Sequence, residues 1–238
     1  MKELKACPFW DFYEPFHLKI VDGKELVKTA DACRMMLARF TSLSKHGRDL
    51  ECFNLSSIKD RKDLILQITP AHAAVIFGFQ RIEQRPDHEM KNDKTKKETD
   101  IYDYLKNCLA DDSKAKDFVR FFVLFIMVTT FFAHKGDQDL AYQYLEQTFY
   151  MNEISWPDVT HNSLMTSILD APLKPEDVKC CVVYPLYWFA EVTHIVKKKV
   201  AGEEKSYPRF TRWNLMDVCS AVKKKLPNFD AEKDILKE

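Results

Sequence analysis

The chain has 238 residues, 46% of them hydrophobic and 13% aromatic, enough apolar mass to build a large core without covalent staples. Lysine plus arginine equals aspartate plus glutamate at 36 each, which excludes a global field drawing the protein to nucleic acid or anionic membrane and leaves only local patches for such contacts. The seven cysteines are odd in number, irregularly spaced and without a CxxC pair, which excludes a disulfide framework and implies a reducing, intracellular setting, nuclear or cytoplasmic.

Met1 to Trp10 lacks the charged segment and apolar run of a secretory signal. Phe9, Trp10, Phe12, Tyr13 and Phe16 then crowd a span shared with Pro8 and Pro15. They read as an N-terminal arm that either packs back on the body or offers an apolar patch. Trp10, Phe12, Tyr13 and Phe16 lie outside the strong core pattern and are the candidate protein contacts.

Val27, Ala30, Leu37, Phe40 and Leu43 fit a helical stripe, which predicts a helix from 27 to 43. The stretch from Lys45 to Lys59 is weakly marked, its type open between a turn and a short extended piece. Thr69-Pro70 is a helix start, because the threonine can cap orphan amides and proline suits the first helical position, and Gly78 is the stop. Residues 84 to 100 are almost wholly polar and read as a mobile linker or insertion.

Beyond it, Ile101 to Leu109 form a predicted helix, Asp111-Asp112-Ser113 a capped turn, and Lys116 to Phe132 a long helix apolar nearly all round. Its apolar window, Phe121 to Ala133, is shorter than the about 20 residues a bilayer span needs, so it belongs in a protein core and no membrane is expected. Asp137 to Phe149 reads as amphipathic, and Trp156-Pro157 opens another helix through Ile168. Glu176 to Val196 reads as a buried helix kinked near Cys181 by Pro185, and Arg212 to Leu226 as the last helix. The expected fold is mainly α, an irregular multi-helix domain around the apolar helix at about 118–133 with little or no β. The expected segments are 1–83, the insertion 84–100 and a core 101–238.

Chemistry-bearing motifs are missing. The seven histidines form no HExxH and no i,i+3 or i,i+4 pair, the five glycines are isolated, and GxSxG, GxxxxGK[ST] and GxGxxG do not occur. Asp111-Asp112 and Glu203-Glu204 read as solvated boundary residues. No catalytic, metal or cofactor residue is assigned, and the expectation is a protein that is not an enzyme, an enzyme on an unrecognised site being the lesser alternative. Three basic clusters remain, with Lys94, Lys96, Lys97, Lys197, Lys198, Lys199, Lys223, Lys224 and Lys225 as candidate phosphate contacts, so nucleic acid stays open as an alternative partner. They also fit solvated faces or helix C-termini.

The run Leu64-Ile65-Leu66-Gln67-Ile68-Thr69-Pro70-Ala71-His72-Ala73-Ala74-Val75-Ile76-Phe77-Gly78-Phe79 resembles the leucine, threonine-proline, short helix, glycine element of the plant mobile domain (aminotransferase-like plant mobile domain). It is similar too to related plant domains that precede Ulp1-type peptidases in transposon-derived proteins. Phe121 to Phe132 with Tyr144-Leu145, Trp156, and Tyr207-Pro208-Arg209-Phe210-Thr211-Arg212-Trp213 resemble later elements of that family in the same order, over residues 64 to 215. The resemblance implies a helical plant domain without known catalytic residues, linked to mobile elements and, in domesticated members, to nuclear silencing. The lysine-rich stretch 91–97 departs from the pattern, and no peptidase triad follows, so protease activity is not carried over. The expected function is a helical module that binds an unidentified protein partner through its surface.

Overall fold

The computed structural model describes residues 1–26, 28–45, 48–56, 64–82, 101–131, 146–170, 178, 180–199 and 207–229. The insertion at 84–100 and most of the 137–149 segment lie outside the described residues. The fold is mainly α, with one small three-stranded sheet among the described residues.

The N-terminal aromatic span is itself helical, as α1 (Lys2–Lys5) and α2 (Trp10–His17). Helix α3 (Ala30–Leu37) starts on Thr29, whose hydroxyl accepts from the Ala32 amide at 3.4 Å. It ends earlier than its stripe suggests. Phe40 and Leu43 belong instead to β1 (Phe40–Lys45), which pairs antiparallel with β2 (Arg48–Asn54), itself paired with β3 (Ile65–Gln67). Spacings of three satisfy a helical wheel, but the cross-strand contact of Phe40 with Phe53, centroids 5.7 Å apart, decides for the strand. Phe53 in turn packs against Trp188.

Helix α4 (Pro70–Phe77) follows with both of its predicted ends. The Thr69 amide donates to His72 Nδ1 at 3.0 Å, so the cap is closed by the ring three residues on. Gly78 takes φ 78°, and an added Cβ would stand 2.9 Å from Cβ of Asp11 and 3.0 Å from Cβ of Pro208. Gly78→Ala is therefore expected to cost about 1–3 kcal/mol through the left-handed backbone, with the contacts adding to it. A urea titration checks this: a midpoint equal to that of the wild type would show that neither cost is incurred.

Next come α5 (Ile101–Leu109) and α6 (Ala115–Ile126), the latter running on as a π-helical turn, Met127–Phe131. The described end of the predicted amphipathic segment, Glu146–Glu153, is 3-10 rather than α. Helix α7 (Trp156–Asp170) opens at the expected tryptophan. No kink forms at Cys181: helix α8 (Val183–Val192) begins after it, and Pro185 sits in the first turn, where its missing amide has no intrahelical partner to lose. Helix α9 (Leu215–Lys225) starts on Asn214, whose Oδ1 accepts from the Met216 amide at 2.9 Å.

One apolar core runs from Leu4 to Phe229. The helix buried on every side is α8, with Tyr184 to Ala190 all buried. At its N-terminal side lies a cluster of rings from distant segments: Phe77 packs on Phe12, Phe79, Phe131, Tyr184 and Tyr187, and Phe9 on Phe79 and Trp156. Among the described residues no helix is long and apolar enough to cross a membrane.

Candidate functional site

Side chains able to do chemistry are turned inward. All seven cysteines are buried. Burial pushes the thiols of Cys7 and Cys33 up to about 11 and that of Cys181 to about 12, and raises Cys52, Cys108 and Cys180 as well. A buried thiol with a raised pKa is a poor nucleophile at neutral pH, because the thiolate is the reactive form. Among the described residues no group of three or more His, Cys, Asp or Glu could hold a metal ion.

The acid nearest to a catalytic arrangement is Asp158, which accepts from the Ser155 hydroxyl and pairs with Arg81 at 3.4 Å. Its carboxylate is thus committed to a helix start rather than to a base. One turn on, His161 is buried against Tyr184 with Nδ1 lacking a partner among the described residues. Burial lowers the pKa of His161 and of His72, outweighing the opposing pull of Glu51 and Asp158 on His161.

That arrangement gives the fold an acid limit. The unfolded chain takes up protons near the ordinary histidine value of 6.5, while the folded chain refuses them. The stabilisation is complete above that value and is lost as pH falls below it toward the depressed folded pKa. His161→Phe should flatten the fall in stability as pH drops below 6.5, with His72 still contributing to what remains. Urea midpoints of both proteins across that range measure it; identical slopes would refute it.

The four aromatic contact candidates of the N-terminus pack on the body. Phe12 is buried among Phe77, Phe131 and Phe210, and Trp10 is buried with Nε1 donating to Glu14 Oε1 at 3.0 Å. Phe16 is half-buried and stacks on Phe210, and Tyr13 is half-buried edge-on to Phe122, centroids 4.7 Å apart. The reason they escape the sequence's core pattern is tertiary: α2 lies across the ring cluster at the end of α4.

Of the phosphate-contact candidates, Lys94, Lys96 and Lys97 lie outside the described residues. Lys197, Lys198 and Lys199 are exposed just ahead of α9, where the Lys199 amide donates to the Arg212 carbonyl at 2.9 Å and Lys198 stands 6.0 Å from the Trp213 ring. Lys223, Lys224 and Lys225 are exposed at the other end of α9, in its last turn, with Lys223 paired to Asp31 at 3.4 Å. A helix of 11 residues holds the two groups on the order of 16 Å apart. They do not converge.

What the sequence hid is the outer flank of α6. Val119, Val123, Leu124 and Ile126 are buried in the core, whereas Phe118, Phe121, Phe122 and Phe125 follow the i, i+3, i+4, i+7 spacing of the other side, the first three packed at the core's edge and Phe125 outside it. The first three are half-buried: Tyr104 of α5 stacks on Phe121 with centroids 4.0 Å apart, Tyr13 meets Phe122, and Phe118 stacks on Phe122. Phe125 is 37% exposed. On the adjoining side Arg120 is laid over Phe149, 4.1 Å from its centroid, and is tied to Asp117 at 3.3 Å. Exposed aromatics beside a positioned arginine are the composition of protein interfaces. The sequence signal was present, four phenylalanines on one side of a helix already supplied with aliphatics on the other, but it was indistinguishable from a helix buried all round.

Comparison with protein-family models, with curated proteins and with solved structures finds no match.

Proposed function

We propose that this chain is a non-enzymatic helical protein-interaction module of the plant mobile-domain kind that its sequence resembles, with the nuclear, transposon-derived silencing role that such a resemblance implies. The observation that carries the binding role is the aromatic flank of α6, Phe118, Phe121, Phe122 and Phe125, opposite its core-facing Val119 and Val123. Leaving large rings half in water forgoes burial worth roughly 1.5–3 kcal/mol for a fully covered phenylalanine, a cost that docking of a partner's apolar side chains recovers. The sealed thiols and the committed Asp158 support the same reading, because neither is poised for bond making.

Phe125→Glu tests it. Its ring is the most open of the four and its loss should leave the melting temperature near that of the wild type, while the proteins retained by the immobilised chain from its source tissue are lost. Leu169→Glu, an exposed apolar residue on α7, is the control and should retain them. Equal retention by wild type and Phe125→Glu would remove the α6 surface as the contact.

A further inference from the structure

Two segments ahead of α9 build one basic face. Arg209–Arg212 is a 3-10 turn, in which residues three apart lie one above the other, so its two guanidiniums share a side. Both reach Glu191: Arg209 donates to Oε2 at 3.2 Å, and Arg212 stands 3.9 Å from the same oxygen. The Lys199 amide donates to the Arg212 carbonyl at 2.9 Å, which lays 197–199 against that turn. Lys198 Nζ then stands 6.0 Å from the centroid of the Trp213 ring, whose Nε1 donates to the other oxygen of Glu191.

One carboxylate does not neutralise this group. Asp217 acts on Lys199 and Asp11 on Tyr207, so among the described residues five cations stand against three acids. The acid at the centre is also the more buried: the Glu191 side chain is 10% exposed, while that of Arg209 is 45% exposed and Lys197, Lys198 and Lys199 are open to water. The field that leaves this face is therefore positive, although the whole chain carries no net charge. Tyr207, two residues before Arg209, adds an aromatic ring that is 54% exposed.

We propose that this face binds single-stranded nucleic acid, with Lys197, Lys198 and Arg209 on its phosphates and a base stacked on Tyr207. Glu191 holds the Arg209 guanidinium by one nitrogen, and the exposed remainder of its donor fork matches a phosphate. A single strand brings a negative charge with every nucleotide and bases whose faces are open, which suits lysines and an arginine flanked by an exposed ring. A duplex keeps its bases stacked on one another and offers Tyr207 nothing, and an acidic peptide answers the charge but not the ring. The face shares no residue with the α6 surface and does not rest on the protein-partner reading.

Fluorescence anisotropy of a labelled oligothymidylate, titrated with the full chain over a series of salt concentrations, tests this. Log affinity should fall linearly with log salt, by about 0.7 for each phosphate contacted. Lys197→Gln with Lys198→Gln should lower that slope by about 1.4, and Lys197→Gln alone by about 0.7 should the pair unfold. Tyr207→Ala should weaken binding roughly 5- to 150-fold, the range for one stacked base, with the slope unchanged. Lys224→Gln with Lys225→Gln, at the far end of α9, should change neither. No binding at low salt, a slope indifferent to Lys197 and Lys198, an equal loss from the far-end pair, or affinity indifferent to Tyr207 overturns the proposal. Polyglutamate or phosphatidylserine vesicles bound as tightly as the oligothymidylate also overturn it, in favour of an acidic protein or a membrane surface.

Discussion

Phe77→Ala should lose about 3–5 kcal/mol, a large share of the roughly 5–15 kcal/mol that holds a domain together. Phe77 is the last residue of α4 and is buried against rings from four other segments: Phe12 of α2, Phe79, Phe131 at the end of the π turn, and Tyr184 and Tyr187 of α8. Truncation removes the transfer energy of the ring and leaves a hole that these neighbours, each held by further ring contacts, cannot close. The Phe131 ring alone also meets Phe9, Phe12 and Phe79. Phe77→Leu should cost less than half as much, since most of the volume stays. Urea midpoints with an unchanged m-value measure both; a loss below about 1 kcal/mol for the alanine variant would mean that the cluster repacks.

Glu191→Ala should cost about 1–3 kcal/mol, the scale for leaving a buried donor without its acceptor. Glu191 lies in the last turn of α8 with its side chain 10% exposed. Oε1 accepts from Trp213 Nε1 at 2.6 Å, and Oε2 accepts from Arg209 at 3.2 Å and stands 3.9 Å from Arg212, whose side chain is 11% exposed. Alanine takes the acceptor from a buried indole and one neighbouring carboxylate from a nearly buried guanidinium at once. Glu191→Gln keeps an acceptor for Trp213 and gives up only the charge, so it should fall between wild type and alanine. Coupling is the sharper readout: Glu191→Ala and Trp213→Phe should be non-additive in a double-mutant cycle, and additivity would contradict the shared node.

Local signals in the sequence were legible where the backbone answers to its immediate neighbours. Thr69-Pro70 and Gly78 bound α4, and Trp156-Pro157 opens α7, because capping and φ preference are decided within one turn. The arginine and tryptophan of the Pro208-Arg209 to Trp213 run could be noticed, but not the Glu191 carboxylate they share, which comes from another helix. β1 reads as the tail of α3 because Phe40 and Leu43, three apart, satisfy the helical period, although they fall on opposite faces of a strand, and the choice falls to their partners Phe53 and Leu50 across the ladder. Pro185 suggests a kink in the sequence because nothing local distinguishes a helix interior from a first turn. The flank of α6 was hidden for a related reason: spacing tells which side chains share a side of a helix, not whether anything covers that side.

Thiol labelling of the native chain at neutral pH most directly tests whether its reactive side chains are sealed in the core, leaving the surface to do the work. Burial of all seven cysteines, with Cys7, Cys33 and Cys181 pushed to about 11, 11 and 12, leads to labelling far slower than that of a free small-molecule thiol, and to rapid labelling of all seven once urea unfolds the chain. A single cysteine reacting in the folded protein as fast as a free thiol, or faster, would reveal an accessible and activated nucleophile and contradict it.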